Sequence, residues 1–256
     1  MLHAFLMRKV GALSQGCGPV ALISGGSRGI GAAIVCRIAA AGWDVSFSYH
    51  RDGQSAREAE KAASELGARV VAAEVDLTDP ACVTSWVRQA EDDLGPLEAV
   101  VSCAGVIRDR PLALVEHADW RAVIDTELDG MFHLCRAAVI GMMKRGSGRI
   151  VMVSSVVGVY GHTDLAAKPG IAGFVKALAA QVSRYGIRVN ALVPGSAGRE
   201  TTEIVPEGTQ ARLTETIALR RFGGAAEVAD LVAFLLSDAA AEITGTVLEV
   251  HDGIFL

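Results

Sequence analysis

Residues 19–31 read Pro-Val-Ala-Leu-Ile-Ser-Gly-Gly-Ser-Arg-Gly-Ile-Gly, and a helix-forming stretch runs on from there to Ala41. Pro19–Ser24 is a short apolar run of the kind that forms a strand buried on both faces. Gly29–Ala41 has the composition of a helix. Between them, Gly25, Gly26, Ser27, Arg28, Gly29, Ile30 and Gly31 form a glycine loop that joins strand to helix. Glycine lets the backbone turn tightly and come close to a ligand, and a helix N-terminus presents free N–H groups and partial positive charge. Strand, glycine loop and helix in this order suit a pyrophosphate in the first βαβ unit of a doubly wound sheet. A tight turn alone can also require such glycines, so the rest of the chain has to decide.

The alternation continues outward from this unit. Val45–Tyr49, Arg69–Glu74, Ala99–Ser102, Arg149–Ser154, Arg188–Val193 and Thr246–His251 read as further strands, apolar on both faces. Ser55–Leu66, Pro80–Leu94, His117–Lys144, Pro169–Tyr185 and Ala225–Ser237 read as helices between them. The expected fold class is α/β: a doubly wound, Rossmann-type parallel sheet of seven strands with helices on both faces. Ligands in such sheets bind outside the carboxyl ends of the strands. No Pro/Gly/Ser-rich linker divides the chain, so 19–256 is expected to form a single domain, with 1–18 as an N-terminal extension.

Composition narrows the function classes. The 256 residues are 51% hydrophobic and 21% charged, which suits a globular core and not a disordered chain. A net charge of −5 and only 5% aromatic residues argue against nucleic acid as partner. Cys17, Cys36, Cys82, Cys103 and Cys135 are scattered with no CxxC pair, so neither a disulfide framework nor a metal site is expected. No apolar run has the length of a membrane helix, and Arg8 and Lys9 follow a short apolar start instead of preceding a long one. A cytoplasmic location is the expectation.

The spacing Gly25-x3-Gly29-x-Gly31 differs from the common GxGxxG. It resembles the TGxxxGxG loop of the short-chain dehydrogenase/reductase family, and the resemblance extends from Pro19 to Gly253. Asp76-Leu77 resembles that family's adenine-contacting Asp. Ser102-Cys103-Ala104-Gly105 resembles its NNAG motif with both asparagines replaced. Ser154-Ser155-Val156-Val157-Gly158, the run from Val189 to Pro194-Gly195, and Arg220-Arg221-Phe222-Gly223 follow in family order. Within that family the chain resembles the 3-oxoacyl-acyl-carrier-protein reductases. The resemblance implies a nicotinamide dinucleotide held by the glycine loop, Arg51, Asp76, Leu77, Ala104, Gly105, Lys168, Pro194 and Gly195. It also implies a small or carrier-bound acyl substrate, and pairing through the helices at His117–Lys144 and Pro169–Tyr185. The assembly would be a homodimer, a homotetramer or a heteromer with an active homologue.

The second strand ends Tyr49-His50-Arg51, with Arg28 in the glycine loop and no acidic residue until Asp52. Arginine grips a phosphate with a planar fork, so NADP (as NADPH) is expected over NAD.

The family's chemistry rests on a Ser, on a YxxxK pair and on an Asn in the preceding long helix. Ser155 matches the Ser and Lys168 the Lys. Asp164 stands where the Tyr would be, and Lys168 follows Ser155 by 13 positions, one helical turn short of the family spacing. Glu127 takes the place of the Asn. Pro169 disfavours helical angles at the residue before it, so the helix is expected to start at Pro169 with Lys168 outside. Tyr160 is the nearby phenol that a shortened loop would have to deliver. Asp164 would need burial to act as an acid, or else serves as an N-cap. His162 titrates in a useful range. Glu127 is either a satisfied helix charge or an ion-pair partner of Lys168. Three functions stay open on these residues: a ketoreductase with an atypical proton donor, a silent partner of an active reductase, and a non-redox enzyme such as a cyclase or dehydratase.

Overall fold

The computed structural model describes residues 18–106, 108, 111–155, 167–195, 214, 215 and 217–253. Its centre is a seven-stranded sheet in the order β3-β2-β1-β4-β5-β6-β7, with every neighbouring pair parallel. The strands are β1 Val20–Ser24, β2 Asp44–Tyr49, β3 Val70–Glu74, β4 Leu97–Ser102, β5 Gly148–Val153, β6 Ile187–Pro194 and β7 Val247–Val250. Chain order reverses between β1 and β4, where Ser24 sits in register with Ser102. That reversal opens the crevice in which doubly wound sheets place their ligands.

Helices cover both faces. On one lie α1 Gly29–Ala40, α2 Gly53–Ser64 and α7 Ala225–Leu236; Ile34, Val35, Val232 and Leu235 are fully buried among them. On the other lie α3 Pro80–Leu94, the long helix α4–α5 and α6 Ala167–Val182, packed through Trp86, Leu134, Met142 and Val175. The long helix comprises α4 His117–Val123, a wide π-helical turn Ile124–Asp129, and α5 Gly130–Arg145. Its end follows a common rule: Gly146 closes it in the left-handed region at φ +69°.

Three expectations need correction. The strands are not uniformly buried on both faces. β3 and β7 form the sheet edges and are only partly covered, with Glu74 and Glu249 exposed. β2 carries buried serines, and these are used: Trp86 Nε1–H donates to Ser46 Oγ at 2.9 Å, and the Gly25 N–H donates to Ser48 Oγ at 3.3 Å. Third, Lys168 does not lie outside its helix. The helix includes Ala167, so Lys168 and Pro169 both occupy the first turn. The first N–H groups of a helix have no intrahelical acceptor, so a proline there forfeits no hydrogen bond.

The glycine loop is held by close backbone contact. A Cβ on Gly31 would lie 1.9 Å from the Gly25 carbonyl oxygen, and neither atom is the end of a flexible side chain. The Gly31→Ala substitution is expected to lower unfolding stability by about 3 kcal/mol, read as a fall in the urea midpoint without change in its slope.

Candidate active site

β1 ends in Ser24, whose buried hydroxyl accepts N–H bonds from Cys103 at 3.1 Å and Ala104 at 3.2 Å. One side chain thus ties the end of β1 to the loop after β4. Gly25 turns away at φ +71°, and a Cβ there would meet Ala104 Cα at 2.7 Å. Only glycine fits, because the two loops touch backbone to backbone. Arg28 then stands at the N-cap of α1 in extended conformation. It gives no side-chain cap, and the first turn of α1 has no acidic residue. The N-terminal N–H groups and their partial positive charge therefore face the crevice without a competing carboxylate.

These features fit a pyrophosphate, and the crevice extends from them in both directions. Towards β2, Arg28 and Arg51 are exposed. Asp52, the acidic neighbour, is committed elsewhere. It is the N-cap of α2, accepting the Ser55 N–H at 3.0 Å and its hydroxyl at 2.7 Å, and these bonds hold its carboxyl below the usual range. Asp76 lies past β3 and accepts the Thr78 hydroxyl at 2.7 Å and N–H at 2.9 Å. Those bonds, with smaller help from His50 and Arg51, lower its pKa. Leu77 is buried, and its carbonyl lies 3.1 Å from His133 Nδ1 of α5.

In the other direction the β4 loop leads to the charged residues. Gly105 follows Ala104, and a Cβ on it would lie 2.9 Å from Glu127 Oε1 and 3.6 Å from Lys168 Nζ. Lys168 Nζ is 3.0 Å from Glu127 Oε2, with side-chain exposures of 11% and 2%. Glu127 Oε1 also accepts the Val106 N–H at 3.2 Å. Glu127 is placed by the π-helical turn, a geometry frequent at functional sites. Of its two sequence readings, the ion pair is the observed one. The Ser154 hydroxyl donates to the Lys168 carbonyl at 3.4 Å, joining the end of β5 to α6, and Ser155 follows half-buried. Cys103 sits in the same corner. Burial pushes its thiol up to about 12, against an opposing pull from the Lys168 ammonium, so it is a neutral group there.

Tyr160, His162 and Asp164 lie outside the described residues, as does the chain that follows Gly195 as far as residue 213. Pro194 ends β6, and the Gly195 N–H donates to the Val250 carbonyl at 2.9 Å. Asn190, in the same strand, is a structural tie. Its amide donates to the Ile243 carbonyl at 2.8 Å and accepts from the Thr246 N–H at 3.1 Å.

A second feature did not emerge from the sequence. A cleft of about 320 Å³ opens at the ends of β6 and β7, lined by Gly195, Ile217, Phe222, Val228, Val250 and His251 among others. Beside it, Arg221 grips Glu227 with two bonds of 2.8 and 2.7 Å and reaches Asp252 at 3.4 Å. Glu227 also accepts the Gly224 N–H at 2.7 Å, capping α7 from inside. Gly224 followed three residues later by a glutamate was the readable signal, with glycine in place of the usual Ser or Thr. Among the described residues no group of His, Cys, Asp and Glu could hold a metal ion, and no helix is long and apolar enough to cross a membrane.

Comparison with known proteins agrees with this architecture. A family model described as Enoyl-(Acyl carrier protein) reductase matches residues 25–254. The chain is 36% identical over 243 residues to a 3-oxoacyl-acyl-carrier-protein reductase of Escherichia coli, covering 93% of this chain and 98% of that one. It is 39% identical over 241 residues to an acetoacetyl-CoA reductase of Shinella zoogloeoides, covering 92% and 98%. Among solved structures, a mutant short-chain dehydrogenase/reductase of Serratia marcescens superposes with a TM-score of 0.87 at 30% identity, over 94% of this chain and 99% of that one. The chain belongs to the short-chain dehydrogenase/reductase family.

The Arg221 pair and the Gly224 N–H hold the Glu227 carboxyl down to about 2, below its ordinary 4.5. A depressed carboxyl stabilises the fold above its unfolded pKa, and that support fades as pH falls from about 4.5 towards 2. Carbon-detected NMR is expected to titrate Glu227 with a midpoint near 2, and Arg221→Ala is expected to raise it clearly.

Proposed function

We propose that this protein is an NADPH-dependent reductase acting on a 3-oxoacyl or polyketide-type carbonyl, carried as a thioester. The observation that carries the reading is the continuity of the crevice. Gly25 abuts Ala104, Gly105 abuts Glu127 and Lys168, and Lys168 is joined to the end of β5 at Ser154. A nucleotide laid along that line would meet helix N–H groups at α1, then an ammonium, then the Ser155 hydroxyl. The names of the E. coli and Shinella relatives support a 3-oxoacyl thioester as the substrate class.

When bound, NADPH would supply hydride to the carbonyl carbon. The chain's own residues do the rest. Ser27, Gly29, Ile30 and Gly31 would offer backbone N–H groups to the pyrophosphate, with Gly25 making the tight turn that lets the loop approach it. Arg28 and Arg51 would take the 2′-phosphate, helped by the commitment of Asp52 to its own helix. Asp76 and Leu77 would border the adenine, and Pro194 and Gly195 the nicotinamide. Lys168 would hold the nicotinamide ribose. The Ser155 hydroxyl would donate to the carbonyl oxygen as negative charge develops there, the kind of aimed donor that speeds such steps. The proton itself would come from an atypical donor, with Tyr160 and Asp164 as the candidates.

We also propose that the chain self-associates through its long helices. Phe132 and Ile140 are 43% and 58% exposed on α5, and Phe132 meets Phe174 of α6 edge to face at 6.5 Å. An apolar surface of this kind is commonly covered by a partner.

The test follows NADPH absorbance with acetoacetyl thioesters. NADPH is expected to support turnover and NADH little or none, and Ser155→Ala is expected to lower kcat by about a hundredfold. Equal use of both nucleotides would reject the role of Arg28 and Arg51. No nucleotide consumption with any 3-oxo thioester would reject reductase function.

A further inference from the structure

The Glu127–Lys168 pair sets the net charge at one end of the crevice. Glu127 stands where the family pattern has a neutral Asn. Its carboxylate is 3.0 Å from the Lys168 ammonium, and both side chains are almost wholly out of solvent. The pair is built in from three sides: the π-helical turn supplies Glu127, the first turn of α6 supplies Lys168, and the Val106 N–H of the β4 loop donates to Glu127 Oε1 at 3.2 Å. Two other cations on the adjoining loop and helix are each paired with a carboxylate, Arg108 with Asp119 at 3.3 Å and Arg121 with Asp125. An ammonium beside an asparagine presents a full positive charge to whatever lies next to it. The same ammonium against a carboxylate presents a dipole, whose field falls off faster.

We propose that Glu127 neutralises Lys168 and so shifts the nucleotide preference of this pocket towards the oxidised, cationic nicotinamide, relative to a site with an uncharged residue at 127. The inference rests on the reading that the crevice holds a nicotinamide nucleotide with Lys168 at its ribose. The physical reason is simple. NADP+ and NADPH differ at the nicotinamide ring, which carries a positive charge only when oxidised. An unopposed lysine repels that ring and is indifferent to the reduced one. Across a few ångströms of partly hydrated cleft, one unit charge changes relative affinity about tenfold.

The experiment measures the dissociation constants of NADP+ and NADPH, by calorimetry on the full chain, for wild type, Glu127→Gln, Glu127→Asn and the double variant Glu127→Gln/Lys168→Met. Glutamine keeps the acceptor for the Val106 N–H and removes only the charge. The ratio Kd(NADP+)/Kd(NADPH) is expected to rise about tenfold in both single variants. In the double variant, where the corner is neutral again, it is expected to return to within about twofold of wild type. Adenosine, pyrophosphate and ribose contacts are common to the two nucleotides, so damage to the fold raises both constants and cancels from the ratio. Binding of both nucleotides with a ratio unchanged in both single variants overturns the proposal and leaves the reductase reading standing. Binding of neither nucleotide to any of the four proteins overturns both.

Discussion

The close approach of two loops governs this site. The Ser24 hydroxyl accepts N–H bonds from both Cys103 and Ala104, and Gly25 lies against Ala104 with no space for a side chain. That contact sits where strand order reverses between β1 and β4. It aligns a helix N-terminus on one side of the crevice with a buried ion pair on the other. The long helix, α6 and the end of β5 are then positioned relative to this junction, because Gly105 meets Glu127 and Lys168, and Ser154 meets the Lys168 carbonyl.

Charge is distributed unevenly along the crevice. On the proposed reading, the α1 terminus and the exposed Arg28 and Arg51 would make one end receptive to phosphates. The other end carries a lysine and a glutamate in contact, so its net charge is close to zero. Buried pairs of this kind add little net stability, since desolvation offsets their attraction, yet breaking one leaves a costly lone charge. The pair therefore fixes geometry more than it stabilises the fold. Its setting in a π-helical turn gives Glu127 a direction that a regular helix would not.

The parallel sheet, the glycine loop and the positions of most elements were legible because they rest on local rules: apolar runs, helix periodicity and glycine where backbone meets backbone. Other features were not. The π-helical turn at Ile124–Asp129 is too short, at six residues, for its changed period to stand out in a hydrophobic pattern. The edge positions of β3 and β7 depend on topology, which Val70–Ala73 and Val247–Val250 do not encode individually. Lys168 was placed outside its helix by the rule for residues before proline; the first turn tolerates that proline because its missing N–H had no partner to lose. The Glu127–Lys168 contact was visible only as one of two options, as its members lie 41 positions apart in the sequence.

The central claim is that nucleotide lies along the line from the α1 terminus to Lys168. Amide hydrogen exchange with and without NADPH tests it most directly. The account predicts slowed exchange at Gly29–Gly31 and at Ala104–Val106 together. Protection confined to the cleft between β6, β7 and α7, or absent from both segments, would contradict it.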